Sequence, residues 1–66
     1  MKNTLRVARA IVNITQAELA ERIGVSRQTI NAIESGKYVP STVLALKMAR
    51  VFDKSVHELF ELEDSD

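Results

Sequence analysis

A chain of 66 residues with no cysteine and one histidine excludes a disulfide staple, a thiolate metal site and a His-cluster metal centre. A domain this small buries only ~60% of the surface its unfolded chain exposes, so it depends on dense helix packing or on self-association. The net charge of zero conceals an uneven distribution: Glu61, Glu63, Asp64 and Asp66 close the chain, while residues 1–60 carry nine positive charges against five negative. A basic body with an acidic tail is compatible with a nucleic-acid partner, and also with a merely solvated surface. There is no apolar run long enough to span a bilayer and no signal-peptide pattern, so no membrane partner is expected and the cytoplasm is the expected compartment.

Residues 1–4 are short and polar. The first helix is predicted from about Leu5 to Val12, with Leu5, Ala8, Ile11 and Val12 as its apolar arc. Asn13, which tolerates left-handed geometry, ends it. Arg9 lies about 40° from Leu5 on the helical wheel, at the edge of the buried arc, while Arg6 and Ala10 face outward.

Thr15 and Glu18 form a capping box that opens a second helix, and Ile14 before the cap can staple against Leu19. Leu19, Ala20 and Ile23 share one face, and Gly24 stops the helix. Ser26 caps a third helix whose inward stripe is Ile30 and Ile33, and Gly36 ends it. Glu34 lies about 40° from Ile30, on the inward side. Opposite charges at a buried seam predict an Arg9–Glu34 ion pair, against the alternative of two separate surface charges.

Lys37-Tyr38-Val39-Pro40 is a loop. Ser41 caps a fourth helix, Thr42 to about Phe52, with Leu44, Met48 and Val51 inward and Ala45 and Phe52 flanking. Val43, Leu46 and Ala49 lie on the other side, covered by the last helix or free to form a dimer seam. Ser55 and Glu58 make a second capping box, opening a short fifth helix to about Phe60. His57 in its first turn reads as a solvated residue. Phe60 to Glu63 then alternate apolar and polar. The whole reads as one all-α domain over residues 1–66: five compact helices and an acidic tail from 61 to 66.

Two short helices across a tight turn, residues 15–36, are the helix-turn-helix pattern, whose second helix can enter a DNA major groove. Leu19, Ala20, Gly24, Val25, Ile30 and Glu34 carry its spacing, with Thr-Gln-Ala-Glu-Leu-Ala in front and Ser-Arg-Gln-Thr-Ile-Asn-Ala-Ile-Glu-Ser-Gly behind. In this the chain resembles the Cro/lambda-repressor-type (Xre) regulators in their short stand-alone form, along essentially its whole length. The resemblance implies a lambda-repressor-like five-helix domain and a structural Arg–Glu pair at Arg9 and Glu34. It also implies a two-stranded antiparallel ribbon between roughly residues 1–4 and 60–63, with a frayed tail as the competing outcome because isolated ribbons are marginal.

The outward side of the third helix holds Gln28, Ala32 and Ser35, with Asn31 on its flank and Arg27 in its first turn. Arg matches the two acceptors of guanine, and Gln or Asn can bind adenine bidentately. The resemblance places base contacts at Arg27, Gln28 and Asn31 and a phosphate contact at Gln16. Thr29 could meet a phosphate or a thymine methyl, and Lys37, Tyr38 and Ser41 look like phosphate clamps.

These features predict a sequence-specific double-stranded-DNA-binding transcriptional regulator, a repressor bound to a palindromic operator as a homodimer. Its seam would draw on Leu46, Val56, Leu59 and Phe60, some of which must instead be core. An antitoxin or a protein-interaction module on the same fold is the alternative. Enzyme function is not expected: no nucleophile lies near His57 in sequence, there is no Gly-rich phosphate loop, and no carboxylates cluster outside the tail. No cofactor, metal or small-molecule ligand is implied.

Overall fold

The computed structural model describes all residues, 1–66. In chain order the elements are β1 (Lys2–Asn3), α1 (Leu5–Val12), α2 (Gln16–Ile23), α3 (Arg27–Glu34), α4 (Thr42–Phe52), α5 (Val56–Leu59) and β2 (Phe60–Glu61). Local chemistry places the boundaries. Thr15 accepts the Glu18 N–H while the Glu18 carboxylate accepts the Thr15 N–H, and Ser55 with Glu58 repeats the arrangement. Ser26 and Ser41 accept the third N–H of α3 and α4. Asn13 and Asp53 take left-handed backbone (φ 58 and 53) and close α1 and α4.

The core is a single cluster of twelve residues, with Leu5, Leu19, Ile30, Ile33, Met48 and Leu59 sealed from solvent. Each such side chain contributes roughly 1.5–3 kcal/mol by burial, most of what a domain this small can muster. Ile14 and Leu19 both sit in the cluster, as a staple across the α2 cap requires.

The packing corrects two expected stripes. On α1 only Leu5 and Ala8 are buried, and Ile11 is 69% and Val12 44% exposed. Six residues at 100° each set Ile11 about 120° away from Leu5, outside the buried arc. Val12 sits in the last turn, where the chain leaves through Asn13 and Ile14 fills the core instead. On α4 the fully buried residues are Met48 and Phe52; Leu44, Ala45, Ala49 and Val51 are half-buried against them. Val43 and Leu46 face solvent.

The ribbon is present. β1 and β2 pair antiparallel, Lys2 opposite Glu61 and Asn3 opposite Phe60. Two residues a side cannot hold a ribbon alone, and tertiary contacts secure this one. Phe60 is buried, Thr4 donates through its N–H to Leu59 O and through Oγ1 to Glu58 O (both 2.9 Å), and the Asn3 amide donates to Ile33 O at 3.0 Å. The Ile33 carbonyl already accepts the Gly36 N–H at 3.1 Å, so the Asn3 amide is its second donor and ties the ribbon to the end of the helix-turn-helix.

Replacing a sealed core residue and an exposed apolar one separates the two classes. Leu19→Ala is expected to cost about 2–5 kcal/mol, enough to unfold much of the population at 37 °C, whereas Ile11→Ala stays within about 0.5 kcal/mol of the parent. Thermal melts followed by circular dichroism compare them directly.

Candidate nucleic-acid interface

The helix-turn-helix is held first by its turn. Gly24 ends α2 at φ +75, and the Val25 N–H returns to Ala20 O at 3.0 Å. Ala20, 3% exposed, supplies the small side chain where α2 and α3 pack together. A Cβ added at Gly24 would meet nothing within 4 Å, so the demand there is purely conformational. Gly24→Ala is therefore expected to lose about 1–2 kcal/mol and Gly24→Asn distinctly less, since asparagine tolerates the left-handed region. Chemical denaturation of the two variants measures the difference.

An ionic cluster then binds α3 to α1. The Glu34 side chain is 1% exposed and Arg9 14%. Arg9 Nε donates to Glu34 Oε2 at 2.6 Å and Nη2 to Oε1 at 3.0 Å, a two-pronged arrangement, and Nη1 reaches Ile14 O at 3.2 Å. Gln16 Nε2 donates to Glu34 Oε1 at 3.0 Å. Burial alone pushes the Glu34 carboxyl up, but the hydrogen bonds from Arg9 and Gln16, aided by the charges of Arg9 and Arg6, outweigh it and hold the carboxyl below its ordinary value. The Arg9 guanidinium is pushed up, chiefly by its bonds to that carboxylate.

Besides Gln16, expected at a phosphate, two residues around Glu34 were not foreseen. Arg6, expected simply to face outward, is 74% exposed yet brings Nε to 3.7 Å from Glu34 Oε1. One carboxylate thus faces two guanidiniums, leaving a positive surplus at the surface. The signal was present in the sequence, since Arg6 lies one turn before Arg9. Asn3 is the second, reached only because the ribbon folds onto the end of α3.

The residues singled out from sequence distribute as follows. Arg27, Gln28 and Asn31 are exposed along α3, and Arg27 forms no ion pair. Thr29 is half-buried, its hydroxyl 2.9 Å from Ser26 Oγ. Ser41 is exposed, with its Oγ accepting the Leu44 N–H. Lys37 and Tyr38 extend from the loop after α3. Gln16 is half-buried, and its amide is turned toward Glu34 and Asn31 rather than outward. No three His, Asp or Glu side chains converge in a set that could hold a metal ion. No helix is long and apolar enough to cross a membrane.

The helix-turn-helix family model matches residues 5–59, from the first residue of α1 to the last of α5. The chain belongs to the Xre-type helix-turn-helix transcriptional regulators. It is 52% identical over 66 residues to an uncharacterised HTH-type transcriptional regulator of Methanocaldococcus jannaschii, covering the whole of both chains. It is 44% identical over 66 residues to the regulator YgzD of Bacillus subtilis, again end to end. The cryptic phage CTXphi transcriptional repressor RstR of Vibrio cholerae matches at 34% over 59 residues, 89% of this chain and 53% of that protein.

The regulator also exposes an apolar area between the loop after α3, α4 and α5. Val39, Pro40, Ala45, Leu46, Val56 and Phe60 line a surface depression of about 210 Å³. Leu46 is 57% exposed and Val56 half-buried. Leu59 and Phe60 are corrections to the expected seam: at 1% and 8% exposed they are core, because the α5–β2 junction turns both inward under β1.

The ion pair sets a pH dependence. A carboxyl whose folded pKa is lowered stabilises the fold above its unfolded value of about 4.3 and loses that contribution as pH falls through and below it. The stability difference between the parent and Glu34→Gln should therefore be present near neutral pH and close below about pH 4. Glu34→Ala, which strands Arg9, should cost about 3 kcal/mol at neutral pH. Melts across pH read both.

Proposed function

We propose that this regulator is a repressor that binds a palindromic operator as a homodimer, with α3 of each subunit in the major groove. One observation carries the reading: Glu34, the only acid of α3, is turned inward onto Arg9. The exposed side of the helix therefore presents Arg27, Gln28, Asn31 and Ser35 with no negative charge among them. A groove flanked by phosphates selects for such a face. A protein-docking use of α3 is disfavoured because both its isoleucines are buried, leaving no large apolar side chain on its outer side.

In this reading Arg27 bonds to guanine, Gln28 to adenine, and Asn31 touches a further base edge. Lys37, Tyr38 and the α4 start at Ser41 hold phosphates, joined by Thr29 and by Arg6, whose charge exceeds what Glu34 neutralises. A single helix reads few base pairs, so a two-fold pair with half-sites ~34 Å apart supplies the specificity. The seam is the apolar area of Val39, Leu46 and Val56, from the loop after α3, α4 and α5. The repressive direction is supported by the likeness to a protein named as a repressor.

Selection of bound sequences from random DNA, with the mass of the complex measured, tests the reading. A palindrome bound by two chains is expected; an asymmetric site bound by one chain, or no enriched sequence, overturns it. On the selected site Arg27→Ala is expected to lose about 1–3 kcal/mol and relax one base position. Lys37→Ala should weaken all sequences alike and reduce the salt slope by about one. Equal losses for the Arg27 variant on selected and random DNA contradict a base contact.

A further inference from the structure

Gln16 sits between the ionic cluster and the exposed face of α3. Its amide nitrogen donates to Glu34 Oε1 at 3.0 Å and to Asn31 Oδ1 at 3.4 Å. The polarity of this chain is forced from its buried end. A carboxylate held ionised by Arg9 can only accept, so Gln16 must present its nitrogen to it. That nitrogen has a second hydrogen and no lone pair to offer, so the neighbouring Asn31 must meet it with its oxygen. Rotating the Asn31 amide by half a turn would set one amino group against another. The Asn31 amino group is thereby directed away from Gln16 and has no partner within the protein. At 3.4 Å the outer contact is long for a hydrogen bond, so it orients Asn31 more than it anchors it.

We infer that Gln16 is a positioning residue for base recognition: through the chain Arg9–Glu34–Gln16–Asn31 it fixes Asn31 as a hydrogen-bond donor, selecting an acceptor edge in the groove. This rests on the reading of α3 as the groove-facing helix. It departs from the two uses expected of these residues, Gln16 as a phosphate clamp and Asn31 as a bidentate reader of adenine. An oriented amino group finds two adjacent acceptors, O6 and N7, on guanine, whereas adenine offers it only N7 and sets its own N6 amino group beside it. At the base pair read by Asn31, guanine is preferred over adenine.

The test measures binding of the full chain to its selected operator and to every single-base variant of one half-site. Asn31→Ala first locates the base pair that Asn31 reads. Gln16→Met keeps the length of the side chain and removes both donors. It should cut the guanine-over-adenine preference at that same base pair by about fivefold and leave preferences elsewhere unchanged. Gln16→Lys restores donors toward Glu34 and Asn31 and should recover most of that preference. Thermal melts of each variant confirm that the folded domain is being compared.

The proposal is overturned if Gln16→Met weakens all sequences by one common factor, the behaviour of a phosphate clamp. Adenine favoured at the Asn31 position in the parent overturns it too, as does an Asn31→Ala variant that relaxes no position. Failure of the wider reading looks different: the parent protein itself then enriches no sequence.

Discussion

The Arg9–Glu34 pair is the constraint on which the remaining architecture depends. It joins the first helix to the end of the third, so the helix-turn-helix cannot tilt against the rest of the domain without separating a nearly dry carboxylate from its guanidinium. Burying two charges is costly, and a pair of this kind is weak evidence for stability by itself. Its structural value lies in directionality. Arg9 meets Glu34 through two nitrogens and Ile14 O through a third, so α1, α3 and the connection between α1 and α2 share one side chain. Apolar contacts tolerate small slips in register; a two-pronged ionic contact does not.

The same pair shapes the exposed chemistry of α3. Because Glu34 is folded inward onto Arg9, the outer side of the helix carries a single charge, that of Arg27. Arg6 reaches the cluster from solvent and leaves it with more positive than negative charge. The acids of the C-terminal tail lie elsewhere: Glu61 faces Lys2 across the ribbon, and Glu63 and Asp66 hold the N-terminal ammonium at 3.0 and 3.1 Å. A molecule of zero net charge thus keeps a locally positive, acid-free helix face, which is the electrostatic condition for approaching a polyanion.

The ribbon shows how a weak element becomes ordered by its neighbours. Two residues a side would fray in isolation. Here Phe60 enters the core from one strand, and Asn3 on the other bonds the Ile33 carbonyl at the close of α3. The two chain ends therefore converge on the same helix end that Glu34 anchors, and α3 is braced from α1 and from the ribbon together.

Local signals were legible in the sequence because their physics is local. The capping boxes at Thr15 and Ser55, the turn at Gly24, the stop at Asn13 and the five helices follow from side chains acting within four residues of themselves. The proximity of Arg9 and Glu34 was legible too, since each lies at the edge of its own buried stripe. What needed the tertiary structure is whatever depends on which faces meet. Ile11 and Leu46 are as apolar as Leu5 and Met48, yet they lie on faces that nothing covers. Leu59 and Phe60 suited a dimer seam until the ribbon turned them inward. Gln16 and Asn31 stand fifteen residues apart, and only the packing of α2 against α3 brings their amides together. Sequence by itself determined the helices, their caps and the family to which the motif belongs. Tertiary packing decided which apolar side chains are core and how the polar ones are oriented, because both depend on contacts between residues distant in the chain.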